Sequence, residues 1–450
     1  MKRTTLEATD QNVLNSIKEN TYGRTADVKD FIEALDTIEG NMFISLDARW
    51  GEGKTFYVRQ IEKSLEYLTK RIWAEDQEDV ENELAPYFSS TVLNSVDLKQ
   101  SYFPVYYNAW LYDNHNDPLL SLLFTVVKKS EKYIDVAKGK NIWEKIGGLL
   151  SSVSFSIGSN DGNANLNAQL SVNGERVANT LSQRDILDVI KTAEEIRETV
   201  KLILDEVIVE KAQRLVIFID ELDRCRPSYA IEMLERIKHY FDDDRIIFIV
   251  SVNKEQLVHT ISKFYGVSFD STGYLNKFFD MNVHMPVLPE VDKSLFSVYK
   301  REQMYLKKIS EELVDYFKLT LRDTLIFKQR VEGIPANIVN DYTHQGRCLS
   351  LFVPIIAILD IVDENEKTKF LTGNSGVLNQ LSSKIPTIRE LICGFGDRTS
   401  ENMFGIGLER IMAVYEYTFD GQNKVDYNDI YLSISYDLKC ICIKLCNGFM

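Results

Sequence analysis

Three separated stretches of this 450-residue chain carry side chains suited to handling a phosphate anhydride. Gly51, Gly53, Lys54 and Thr55 form one, Asp220 and Glu221 the second, and Asn253 the third. Glycine lacks a Cβ, so the backbone around Gly51 and Gly53 can curl its N–H groups towards an anion. A lysine at position 54 then reaches β- and γ-phosphates, and the Thr55 hydroxyl ligates Mg²⁺. Asp220 would hold the same Mg²⁺ through water or Thr55, and Glu221 would polarise an attacking water. Asn253 fits a sensor that hydrogen-bonds the γ-phosphate or that water. A phosphate cradle, a divalent metal and a water-orienting group are what hydrolysis of a nucleoside triphosphate requires. Trp50, Glu52 and Phe56 complete the expected nucleotide contacts, with ATP and Mg²⁺ as the expected ligands.

Each stretch also has a plain structural reading. Gly-Glu-Gly-Lys-Thr is an ordinary strand–turn–helix junction with a surface lysine, the two acids cap a helix after a core strand, and Asn253 caps the helix that follows it. The surrounding pattern decides what each junction belongs to. Met42 to Leu46 is a short apolar run bounded by Gly40-Asn41 and the glycine turn, which predicts a buried strand. The residues after Thr55 place Val58, Ile61 and Leu65 on one helical face. Strand, glycine loop, Lys-Thr, helix is the context a phosphate-binding loop requires. Leu215 to Ile219 are five consecutive apolar residues, as in a parallel strand buried on both faces. That strand delivers Asp220 and Glu221 at its carboxyl end, where open α/β sheets bind ligands. Arg245 to Asn253 predicts a further buried strand, and Asp280 to Pro286 one more short one.

Elsewhere, Asp27 to Ile38 has the spacing of an amphipathic helix, residues 60–98 read as helical and acidic, and Asp117-Pro118 reads as an N-cap with proline in the first turn. Ser152 to Gly158 and Asn165 to Val172 alternate strictly around Ser159-Asn-Asp-Gly162, a β-hairpin pattern within an insertion at about 131–185 preceded by a short helix, Ile142 to Leu150. Two helices are expected next, Ser182 to Thr192 and Ala193 to Lys211. Beyond Pro286 the pattern is mostly helical.

Composition narrows the partners. A net charge of −15 repels a phosphate backbone and argues against nucleic acid. The six cysteines are scattered without paired C-x-x-C spacing; Cys440, Cys442 and Cys446 read as core packing, and reduced thiols with no signal peptide point to the cytoplasm. Leu349 to Val362 is apolar but interrupted by Ser350, Pro354 and Asp360 and falls short of the roughly 20 residues of a membrane span, so it reads as a buried helix.

Several blocks, in order, resemble the KAP family of P-loop NTPases. Trp50-Gly-Glu-Gly-Lys-Thr55 resembles its tryptophan-containing Walker A motif, and Tyr107-Asn-Ala-Trp110 with Asn116-Asp-Pro-Leu-Leu120 its Asn-Ala-Trp segment. Phe218-Ile-Asp-Glu-Leu-Asp-Arg-Cys-Arg-Pro227 looks like its Walker B block, Tyr274 to Asp280 the block after its fourth strand, and Leu319-Thr-Leu-Arg-Asp323 the start of its helical lid. The resemblance covers roughly residues 20–325. It implies an α/β fold, a three-layer αβα P-loop core with a parallel sheet ordered 5-1-4-3-2, related to the AAA+ and STAND groups. It also implies a lid arginine at Arg322 and an ATPase acting as a switch, with a homo-oligomer or a protein partner. Arg224 or Arg226 would be an arginine finger across a subunit interface or, equally, a salt bridge holding the loop. Bacterial members include a plasmid phage-exclusion protein, which suggests a setting in phage defence.

Two departures stand out. Ala48 occupies the first glycine slot of the Walker A pattern. The gap where many members carry transmembrane helices holds the polar hairpin region instead. The resulting domain expectation is an NTPase core over 1–286 and a helical lid and C-terminal region over 287–450. A nucleotide-loaded scaffold that does not hydrolyse is the alternative to the enzyme.

Overall fold

The computed structural model describes residues 7–21, 23–76, 82–115, 117–131, 183–208, 212–286, 301–332, 334, 338–397, 399–420 and 438–446. The helix expected at 142–150 and the hairpin expected over 152–172 lie outside the described residues. The chain divides into two compact units, one spanning Glu7–Val287 and the other taking in Leu288–Met450.

The first unit is built on a five-stranded parallel sheet: β1 (Met42–Asp47), β2 (Tyr102–Asn108), β3 (Arg214–Asp220), β4 (Ile246–Val252) and β5 (Met281–His284). The strands lie in the order β2-β3-β4-β1-β5, which read from the β5 edge is 5-1-4-3-2. The two central hydrophobic runs, β3 and β4, are buried along their whole length. β2 is an edge strand, where Pro104 is tolerated because the missing N–H need not serve a ladder on the open side.

Alternation along these strands sets two separate cores. Leu215, Ile217 and Ile219 pack with Phe248, Val250 and residues of the helices Pro118–Ser130, Gln183–Ile208 and Pro227–Tyr240. Val216, Phe218, Ile247, Ile249, Ile44 and Leu46 face the other way, towards the helices Asp10–Glu19, Thr25–Leu35 and Lys54–Asp76. Helices therefore cover both faces, the three-layer arrangement a wholly parallel sheet demands. Asp220 continues the parity of Val216 and Phe218, so the fold aims it at the face covered by the helix that begins with Lys54.

Two helix expectations change. The helical stretch expected to reach residue 98 is a 23-residue helix ending at Asp76, followed by the short turn Ala85–Phe88 and the 3₁₀ turn Val92–Ser95. Pro86, in the first turn of Ala85–Phe88, has no N–H with which to continue a preceding helix. Conversely, the two helices expected across 182–211 are one continuous helix, Gln183–Ile208, because Thr192-Ala193 carries no helix-breaking residue.

The second unit is helical throughout its described residues. Its core surrounds the helix His344–Val362, whose Cys348, Leu349, Phe352, Ile355, Ile356 and Leu359 pack with Leu313, Phe327, Phe370, Ile388 and Tyr415. This 19-residue helix is apolar and long enough by composition to cross a membrane, but 72% of its apolar window is buried inside the unit. That is the burial expected of a core helix. Pro354 sits within it and is buried.

Candidate active site

The carboxyl ends of β1, β3 and β4 converge on the glycine loop. Ala48 donates its N–H to the Val252 carbonyl at 3.1 Å and thus extends the β1–β4 ladder by one residue. It is buried and does not have positive φ, so a methyl group at the first glycine slot meets no backbone penalty. The positive angles fall instead at Gly51 (φ 89°) and Gly53 (φ 83°), where any side chain would be strained. Across the same loop Arg49 donates its N–H to Glu52 Oε2 at 2.9 Å. Lys54 opens the helix and folds back along the loop, its Nζ donating to the Ala48 carbonyl at 2.6 Å and the Arg49 carbonyl at 3.3 Å. Burial pulls its pKa down, against the opposing pull of Asp223, Asp220 and Glu52. Thr55 and Phe56, half-buried, follow in the first helical turn.

Asp220 is almost fully buried. Its Oδ1 accepts the Glu221 N–H at 2.9 Å and its Oδ2 accepts the Tyr106 hydroxyl at 3.0 Å, which fixes the plane of the carboxylate. Arg59 stacks on the Tyr106 ring, 4.5 Å from its centroid. Burial beside Asp220 raises the Tyr106 pKa well above the ordinary phenol value, so Tyr106 acts as a donor. The register partner of Asp220 on the next strand is Ser251, which therefore shares its face. The Ser251 hydroxyl is completely buried and has no hydrogen-bond partner among the described residues. An orphaned buried hydroxyl is costly unless something polar reaches it. A hydrated divalent cation beside Asp220 would supply that, and the oxygen donors of Asp220, Ser251 and Thr55 are of the kind that fits Mg²⁺.

Glu221 has φ 61°, one of three described non-glycine residues in the left-handed region. Its carboxylate is engaged on both oxygens: Arg224 Nη1 lies 2.9 Å from Oε1, and Asn108 Nδ2 donates to Oε2 at 3.3 Å. Asn108 is itself held, because its own side-chain oxygen caps the short helix Ala109–Tyr112. Desolvation raises the Glu221 pKa above the ordinary glutamate value, with Asp220 adding to it and Arg224 opposing. Arg224 also lies over the exposed Trp110 ring at 5.7 Å. Arg226 bonds Asp113 through its backbone N–H (2.9 Å) and Nε (2.7 Å), and through Nη2 to the Asp113 carbonyl. Both arginines are thus in ion pairs within the chain.

Asn253 caps the helix Lys254–Tyr265, its side-chain oxygen accepting the Gln256 N–H at 3.3 Å. That is the structural reading of the residue, and it employs the amide oxygen only. Lys54, Glu52, Asp220, Glu221 and Asn253 are grouped at one end of the sheet. Arg322 belongs to the second unit, exposed on the helix Leu321–Glu332. Two residues were not singled out by sequence reasoning. Tyr106 is the register neighbour of Ile219 minus one, opposite Phe218, and only the strand pairing reveals that it reaches Asp220. Asp223 accepts both the Trp50 indole N–H and the Asn253 backbone N–H. The acid lies two residues past Glu221, a spacing that offers the only sequence hint.

A search of the curated proteins finds no match to the chain. A family comparison does: the model of the KAP family P-loop domain matches residues 24–337, well over half of the chain and including both motif blocks. With the glycine loop, the acidic strand end and the parallel sheet in one unit, the chain belongs to the KAP family and carries its P-loop NTPase domain.

Proposed function

We propose that the protein is a Mg²⁺-dependent ATPase that works as a nucleotide-driven switch. The observation that carries this reading is that the glycine loop with Lys54 and the acids Asp220 and Glu221 stand at the carboxyl ends of strands of one parallel sheet. The backbone of Trp50 to Lys54 and the Lys54 ammonium hold the phosphates, and the positive end of the 23-residue helix adds to their attraction. Thr55 and Asp220 would hold Mg²⁺, which when bound neutralises charge on the β- and γ-phosphates. Glu221 is the carboxylate that accepts hydrogen bonding from the attacking water. Asn253, through its amide nitrogen, is the sensor, and Arg322 of the second unit is the proposed lid arginine. A homo-oligomer or a protein partner is the proposed reader of the switch, and phage defence the proposed setting.

The test uses the full-length protein with ATP and measures phosphate release with Mg²⁺, with a chelator, and in Lys54→Ala. Turnover that needs Mg²⁺ and falls at least 100-fold in Lys54→Ala is expected. Turnover indifferent to both would refute the reading. A second reading, nucleotide retention without appreciable hydrolysis, is favoured by one observation: both Glu221 oxygens are engaged by Arg224 and Asn108. Tight ATP binding with negligible phosphate release would select it.

A further inference from the structure

The phosphate loop is fastened at its outermost residue. Trp50 is 45% exposed. Its indole N–H reaches Asp223 Oδ2 at 2.5 Å. That same oxygen accepts the backbone N–H of Asn253 at 3.0 Å. Asp223 is buried in the 3₁₀ turn Leu222–Arg224 that follows Glu221. One carboxylate oxygen therefore joins the glycine loop, the end of β4 and the turn that carries the water-polarising glutamate.

We infer that Asp223 is a positioning residue of the phosphate site, a latch that sets the glycine loop against β4 through the Trp50 indole. Three features support it. The bond to a charged acceptor is short, the stronger kind of hydrogen bond. Loop residues 51 and 53 are both glycines, whose backbone freedom must be restrained from outside if the cradle is to keep its shape. The Lys54 ammonium is turned to the Ala48 and Arg49 carbonyls, while the Asp223 oxygen takes the Trp50 and Asn253 N–H groups, so the two do not compete for partners. Preorganisation of this sort shows in ligand affinity, because an untethered loop must be ordered at the moment of binding.

The inference rests on the nucleotide-site reading, so its test includes a measurement made without nucleotide. Trp50→Phe keeps an aromatic side chain but loses the N–H together with the five-membered ring that carries it; Asp223→Asn removes the charge. Hydrogen–deuterium exchange of the full-length protein is followed in peptides covering residues 48–53, alongside affinity for a fluorescent ATP analogue. Both single variants are expected to speed exchange in that segment. Each should weaken analogue binding by roughly 3- to 30-fold, the loss of one charge-assisted hydrogen bond. The double variant should be no worse than the more affected single variant, since both substitutions act on the same bond. Unchanged loop exchange in Trp50→Phe overturns the latch, and so do additive losses in the double variant. If Asp223→Asn fails to fold, Trp50→Phe alone decides between these results. A wild-type protein that binds no analogue refutes the nucleotide reading, while the exchange data still judge the latch.

Discussion

Removing the Arg224 guanidinium tests what holds Glu221. The two groups lie 2.9 Å apart, with the glutamate side chain 13% and the arginine side chain 32% exposed. At an effective dielectric of about 20, unit charges at ~4 Å attract by about 4 kcal/mol, an upper limit for so exposed a pair. Solvent screening and the desolvation both groups have already met reduce the net value to about 1 kcal/mol. If Glu221 must leave Arg224 before it can engage water, Arg224→Ala lowers the barrier by up to that amount, roughly a 5-fold rise in turnover. The same substitution removes a charge that lowers the Glu221 pKa, which burial already raises. The carboxylate form is therefore lost at higher pH in the variant than in the wild type, and the acid limb of its pH–rate profile moves up. Steady-state phosphate release at pH 8, the alkaline end of the profile, is least affected by protonation and so reads the release effect, and a profile from pH 5 to 8 shows the shift. A 2- to 10-fold gain at pH 8 with an acid limb displaced upward is expected. A loss of 100-fold or more would refute the reasoning, because it would mean that Arg224 stabilises the transition state, where an arginine is worth ~10³–10⁵.

Other perturbations follow from the same geometry. Asp220→Asn should raise the Mg²⁺ concentration needed for half-maximal turnover at least tenfold while leaving metal-free nucleotide binding near wild type, as read by titration with a fluorescent analogue. Phe218→Ala, deep in β3, should cost about 3–5 kcal/mol and lower the first unit's thermal midpoint by roughly 6–20 °C in calorimetry. Among the described cysteines Cys440 is exposed, whereas burial pushes the Cys225 and Cys348 thiols up to about 12, so a thiol reagent at pH 8 should label Cys440 first and leave those two until unfolding.

Much of the first unit is written locally. The five-residue apolar run of β3 suits a strand covered on both faces, as in a parallel sheet, and Asp220-Glu221 then stand at its carboxyl end. The glycine loop is legible for the same reason: a strand, two glycines and Lys-Thr leave the backbone few other courses. Ala48 looked like a defect in the pattern because the sequence does not say which loop positions need positive φ; the structure puts that demand on Gly51 and Gly53. The partners of the acids were hidden because they depend on register. Tyr106 reaches Asp220, and Trp50 reaches Asp223, across 114 and 173 residues of chain, separations no local spacing encodes. Asp223, an acid in the polar stretch after Glu221, is buried in the turn Leu222–Arg224, which its residue type alone does not announce. Asn253 was legible as a strand-end residue, and the cap it forms was the plainer of its two readings.

The proposed hydrolysis depends on Glu221 acting on a nucleotide held by Lys54 and its loop. Glu221→Gln keeps the size and the hydrogen-bonding reach of the side chain and removes the carboxylate. In single-turnover experiments with Mg²⁺ and ATP, the variant should bind nucleotide within about threefold of wild type and release phosphate at least ~10²-fold more slowly. Phosphate release at the wild-type rate by Glu221→Gln, with nucleotide bound, would contradict it.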